Sequence, residues 1–221
     1  MRARRRSPAG DAGFTLTELL VAITILGIVT SALGATIISW LRYSDATQKQ
    51  LELSHDVQVS AAHFARDVSA MGTRDGAGGA PELTQSVQTD LADRTCTPPD
   101  AHVAWVGFVS DRWDLVGGTG DHSVEVVVYY LTTIGGGVAE LRRTTCLDGG
   151  APTAVVVLAH NVAVDPADPA DSWGLDCSST CDGDSPPQRV TLSFTVAPPA
   201  GGAGPAPNPI PVTLIGERRQ T

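Results

Sequence analysis

The chain has 221 residues and a formal net charge of −9 at pH 7. That length accommodates one domain of ordinary size plus a long helix. The acidic balance argues against duplex DNA as an electrostatically driven ligand, because that affinity comes from neutralising phosphates. The first thirteen residues hold four arginines and Asp11, a local charge of +3, so the chain beyond them stands at −12.

Arg2, Arg4, Arg5 and Arg6 form a short positive region that holds the amino end in the cytoplasm and sends the rest outward. Residues 14–41 then read FTLTELLVAITILGIVTSALGATIISWL, with Glu18 the only charge before Arg42. A helix needs roughly 20 apolar residues to cross a bilayer, and this stretch exceeds that. A carboxylate inside it costs about 2.5–3.5 kcal/mol, so Glu18 needs a functional partner. Three processing readings compete. A secretory signal would be cut after Ala32-Leu33-Gly34, but its apolar core is too long. A plain signal anchor leaves Glu18 unexplained. Cleavage between Gly13 and Phe14 keeps the helix and makes Phe14 the new N-terminus.

Gly13-Phe14-Thr15-Leu16-Thr17-Glu18-Leu19-Leu20-Val21 resembles the type IV prepilin processing motif: a glycine, the cut, an aromatic residue, and glutamate fifth in the mature chain. Thr17 departs from the apolar residue usual there. The resemblance implies that a prepilin peptidase removes residues 1–13 on the cytoplasmic side and that the Phe14 amine is methylated. Glu18, one helical turn along, would neutralise such an amine on its own or a neighbouring subunit, which docks subunits in register. The implied partners are the peptidase, other pilins or pseudopilins, an inner-membrane assembly platform and membrane lipid. The implied location is the cytoplasmic membrane, single-pass with the C-terminal domain exported, and then a cell-surface pilus or pseudopilus.

Four segments follow from this reading: a leader at 1–13, a membrane or filament-core helix at 14–41, its amphipathic continuation at 42–72, and an exported β-rich domain at 73–221. In the continuation, Leu53, Val57, Ala61, Phe64, Val68 and Met71 recur as one apolar stripe at helical period. Gln50, Glu52, His55, Gln58 and Arg66 occupy the opposite positions, and Gly72 with the glycines after it stops the helix. Strands are predicted at 102–109, 123–131, 138–144, 154–159, 190–196 and 211–215, with a glycine hairpin at 132–137. Residues 165–187 and 197–209 read as surface loops. One long helix followed by short strands predicts an α+β, pilin-like fold, with the helix packed on an antiparallel sheet.

Tyr129-Tyr130-Leu131, Glu140-Leu141-Arg142-Arg143, the segment 157–162 and Pro187-Gln188-Arg189-Val190-Thr191-Leu192 resemble, in their order, the J-type minor pseudopilins and W-type minor pilins. The acidic insert at 165–184 and the proline-rich run at 197–209 depart from that pattern. The match implies a tip or initiation subunit, because a broad domain limits how many copies stack side by side.

Cys96, Cys146, Cys177 and Cys181 all lie on the exported side, where an even number reads first as disulfides. Of three connectivities, Cys96–Cys146 with Cys177–Cys181 is favoured on adjacency in sequence alone. Zinc wants two close pairs and only one is present. Asp165, Asp168, Asp171, Asp176, Asp182 and Asp184 crowd one loop; Asp176, Asp182 and Asp184 are weak calcium candidates, but the spacing fits no standard calcium loop. Cofactors are otherwise expected to be none. The histidines His55, His63, His102, His122 and His160 show no metal spacing, and no Gly-x-Ser-x-Gly or His-Glu-x-x-His occurs, so an enzyme is not expected. Trp105, Trp113, Tyr129 and Tyr130 read as sheet packing. The leading expectation is a structural pilus or type II pseudopilus subunit. The alternatives are an adhesive tip that binds DNA or substrate, and an anchored domain that does not assemble.

Overall fold

The computed structural model describes residues 15–74, 83–84, 86–89, 95–114, 121–182, 186–197 and 208–219. Among the described residues one α-helix, α1 (Leu16–Ala70), precedes ten strands. The chain divides into two compact units, Met1–Asp45 and Ala46–Thr221.

Within the first unit the helix is apolar all round. Leu19, Ile23, Leu26, Ile37 and Trp40 are all more than half exposed. Its hydroxyls return to the helix itself: Thr24 donates to the Val21 carbonyl at 2.8 Å, Thr30 to Leu26 at 2.8 Å, Ser31 to Ile28 at 2.8 Å and Thr36 to Ala32 at 2.9 Å. Each of these four hydroxyl protons therefore has a partner without water, as a lipid or protein surrounding demands. The segment is long and apolar enough to cross a membrane.

In the second unit, residues 46–70 of α1 turn amphipathic. Leu53, Phe64, Val68 and Met71 are buried and Val57 and Ala61 half-buried, whereas Gln50, Glu52, His55, Gln58 and Arg66 are exposed. The stripe also buries Ser60 and Asp67, which hydropathy periodicity does not reveal. Gly72, at φ +130°, turns the chain out of the helix, and its amide donates to the Val109 carbonyl.

All strand pairs are antiparallel. A small sheet pairs β1 (Thr73–Arg74) with β2 (Leu83–Thr84). The main sheet holds β3 (Val87–Gln88), β4 (Ala104–Asp114), β5 (Asp121–Gly135), β6 (Val138–Leu147), β7 (Val156–Ala163), β8 (Trp173–Cys177), β9 (Arg189–Val196) and β10 (Ile210–Glu217). Its order is β10-β9-β7-β6-β5-β4-β3, with β8 also on β9. The fold is therefore α+β, with one long N-terminal helix and an antiparallel sheet. All six predicted strands are present, each of them longer than expected. The β5–β6 connection is a tight turn at Gly136 and Gly137, whose φ values of +66° and +75° are the left-handed conformations such a hairpin requires.

One expectation needs correction. Residues 165–187 are not all surface loop: a 3-10 turn (Pro169–Ser172) leads into β8, which pairs with β9 from Trp173↔Phe194 to Cys177↔Val190. Only Trp173, Leu175 and Cys177 carry apolar bulk in that strand, so the acidic and turn-forming residues around it masked the alternation. Most of the predicted 197–209 loop lies outside the described residues.

Strands β9 and β10 alternate buried and exposed residues, whereas β4 from Ala104 to Ser110 and β5 from Val126 to Leu131 are buried on both faces. One face meets the helix. There Phe64, Phe108 and Tyr129 form three mutual edge-to-face contacts with ring centroids 5.6–5.7 Å apart. The other face carries Trp105, Val109, Val126, Val128 and Tyr130, covered in part by Cys96, which a disulfide holds to Cys146.

Candidate functional site

The first candidate is the start of α1. Glu18 Oε2 accepts from the Thr15 amide at 3.1 Å and from its hydroxyl at 2.9 Å, while the Glu18 amide donates to Thr15 Oγ1 at 3.3 Å. This is a reciprocal capping box, in which two otherwise orphaned helix-terminal donors are satisfied. The Thr15-x-x-Glu18 spacing in the sequence encodes it. Glu18 is fully exposed on a helix whose apolar neighbours are also exposed. Nothing within 4 Å would meet a Cβ at Gly27 or Gly34, so both are open to close approach by another helix. Gly13 and Phe14, the predicted cleavage and methylation residues, lie outside the described residues.

The second candidate is the set of polar groups that docks the amphipathic half of α1 on the sheet. Strand β7 touches β9 through one pair only, Val162↔Val196, and part of its edge would otherwise lack partners. The helix supplies them. Ser60 Oγ donates to the Leu158 carbonyl at 3.0 Å, and Asp56 Oδ2 accepts from the His160 amide at 3.0 Å. One helical turn, from 56 to 60, spans about the same length as the two-residue strand step from 158 to 160. Asp56 also meets the His160 ring Nδ1 at 3.0 Å. Opposite Glu140, the register of β6 and β7 shifts by one residue, and Asn161 takes the left-handed φ of +56°. This bulge frames a groove of about 690 Å³ lined by Lys49, Glu52, His55, Asp56, Ile134, Glu140 and His160, among others. Among the described residues no serine, threonine or cysteine lines it.

Deeper in, Asp67 accepts from Arg143 Nε at 2.7 Å and Nη2 at 3.0 Å, and from the Tyr129 hydroxyl at 2.6 Å. Burial pushes the Tyr129 phenol up, and the Asp67 charge adds to it. Burial pulls the Arg143 guanidinium down, but the Asp67 hydrogen bond and charge outweigh it and the net shift is upward. On the opposite face, Arg142 donates to Asp100 at 2.6 Å and to Glu140 at 2.7 Å, and Tyr130 donates to Asp100 at 3.2 Å. Here Tyr130 is pushed up to about 12, by burial first and by Asp100 second.

The cysteines pair as Cys96–Cys146 and Cys177–Cys181, and no free thiol remains among the described residues. Of the calcium candidates, Asp176 lies in β8 and Asp182 in the turn after it, while Asp184 lies outside the described residues. Asp165 accepts the Ala167 amide at 2.9 Å, which is ordinary turn chemistry. Among the described residues no group of three or more His, Cys, Asp or Glu comes together to hold a metal ion. His102 meets the Asp100 carbonyl and the Tyr130 ring, and His55 and His160 share the groove. Trp105, Tyr129 and Tyr130 are buried in the sheet faces.

Residues 9–34 match the family described as the prokaryotic N-terminal methylation motif. No curated protein and no solved structure matches the chain. The motif, with the exposed apolar helix and two disulfides beside it, supports a membrane-anchored type IV pilin-like protein processed by a prepilin peptidase and assembled with other pilins.

Proposed function

We propose that the chain is a structural subunit, not an enzyme, of a type IV pilus or type II secretion pseudopilus, and that it acts at the tip or in initiation. The observation that carries this is a helix apolar on every side with a single carboxylate, beginning inside a matched methylation motif. Peptidase cleavage between Gly13 and Phe14 liberates an amine one turn from Glu18. A neighbour's amine can then replace Thr15 as the partner of that carboxylate, and the exchange costs little because a charged group replaces a neutral donor. The C-terminal domain is exported, and its eight-stranded sheet favours a minor subunit over a shaft subunit, since width limits lateral stacking.

Mass spectrometry of protein recovered from membranes tests the reading. An amino end at N-methylated Phe14 is expected in cells with the peptidase, and the uncut chain in cells without it. An amino end beyond Trp40 would refute the proposal, because the assembly helix would be gone. Glu18→Ala should leave cleavage intact and abolish incorporation into filaments.

A further inference from the structure

Charge and length together locate the far end of the membrane segment of α1. Glu18 is the last charge before Arg42. A carboxylate avoids hydrocarbon, so Glu18 holds its end of the helix at one boundary of that layer. Trp40 follows 22 positions later, about 33 Å along the axis at 1.5 Å per residue. The hydrocarbon core is about 30 Å thick, and an average tilt of about 20° shortens 33 Å to about 31 Å. With Glu18 at one boundary, Trp40 therefore lies at the other.

The residues found there are of the type that such a boundary selects. Trp40 is 66% exposed and Tyr43 77%, with Arg42 exposed between them. Each aromatic joins an apolar ring to a polar tip, which suits the level of the headgroups better than either water or acyl chains. Arg42 can lay its stem along the apolar segment and carry its guanidinium outward. The hydroxyls of Thr24, Thr30, Ser31 and Thr36 bond back to their own helix, whereas charge resumes at Arg42. A helix that crosses the boundary presents all its faces to the headgroups, so the three side chains need not share one face. We propose that Trp40, Arg42 and Tyr43 form a phospholipid-headgroup site, with Arg42 on a lipid phosphate and the two rings seated beside it. A planar guanidinium suits phosphate because it offers parallel donors at fixed spacing. The inference rests on the reading of residues 14–41 as a membrane segment and adds the group that sets its depth before assembly.

The test is quenching of Trp40 fluorescence in the full chain, reconstituted into phosphatidylcholine vesicles whose acyl chains are brominated either near the headgroup or near the methyl end. A Trp40→Phe variant supplies the signal of the remaining tryptophans, which is subtracted. Shallow bromine should quench Trp40 more strongly than deep bromine, a shallow-to-deep ratio above unity. Arg42→Leu should let Trp40 sink and bring the ratio below unity, whereas Arg42→Lys keeps a headgroup cation and should preserve it. Stronger quenching by deep bromine in the native chain, or a ratio indifferent to Arg42→Leu, would overturn the proposal. Absence of quenching at both depths would do the same, since a second copy of the helix would then cover Trp40. Carbonate extraction separates this proposal from the reading beneath it. A chain stripped from the vesicles refutes the membrane segment itself, and a retained chain with a deep Trp40 refutes only the headgroup site.

Discussion

Replacing Asp67 by alanine should be among the most damaging single changes in the second unit. The Asp67 side chain is 4% exposed and that of Arg143 14%. Two guanidinium donors and one phenol converge on the carboxylate at 2.6–3.0 Å. Taking it away leaves a guanidinium largely out of water with no counter-charge, at a cost of about 3–5 kcal/mol. Folded proteins hold only about 5–15 kcal/mol in all, so this is a large fraction of the total. Tyr129→Phe removes one hydrogen bond to a charged acceptor and leaves the ion pair, at about 1.5–3 kcal/mol. The double change Asp67→Leu with Arg143→Met removes both charges and should recover most of what Asp67→Ala loses, because a buried pair gains little over apolar packing. Urea unfolding followed by tryptophan fluorescence is the assay, since Trp105 is buried and urea does not screen charge. A loss below about 1 kcal/mol for Asp67→Ala would refute the reasoning, as would a double variant less stable than Asp67→Ala.

Three further outcomes are expected. An unfolded tyrosine titrates near pH 10, whereas folded Tyr130 is pushed up to about 12. Its contribution is therefore intact below pH 10 and is lost as pH rises towards 12, so Tyr130→Phe should flatten the fall of the urea midpoint across that window; an unchanged slope counts against it. Cys96–Cys146 closes a sequence separation of 50 and Cys177–Cys181 one of 4. Chain entropy then predicts losses of about 4 and about 2 kcal/mol for the paired serine variants, measured by the same unfolding assay, and a reversed order would contradict it. A Cβ at Gly216 would lie 2.4–2.8 Å from the Val68 side chain. Gly216→Ala should accordingly cost about 1–3 kcal/mol, and Val68→Ala in the same chain should restore part of it, which calorimetry can check.

The apolar stripe of α1 was legible because hydropathy reports burial at helical period, and Leu53, Phe64, Val68 and Met71 are buried where it placed them. Ser60 and Asp67 were not legible, since each is buried for the sake of a partner about one hundred or sixty residues away. No local pattern encodes such a distance. Strand β8 was missed because five residues between turn-forming aspartates show too few apolar positions to register a period. The segment around Cys96 that covers the second sheet face was likewise invisible: its order comes from a disulfide and the Asp100 contacts, and it carries no alternation of its own. The start of α1 was half legible. Glu18 stood out as a charge in an apolar run, but its cap on Thr15 was hidden by the expectation that a buried acid must look outward.

The repeated pairs Tyr129-Tyr130 and Arg142-Arg143 give each face of the sheet one tyrosine and one arginine. Tyr129 lies opposite Arg143 and Tyr130 opposite Arg142, so each cross-strand pair shares one face. On the helix face the pair closes on Asp67, and on the far face on Asp100. A slip of one residue would still leave one arginine of β6 on each face, so the doubled pair tolerates it; what the slip would do is turn Leu141 out of the helix-side cluster and Cys146 away from Cys96. The register of β5 and β6 is therefore fixed by the disulfide as well as by hydropathy. That second constraint is needed because this stretch of β5 is buried on both faces, so alternation cannot say which side is which.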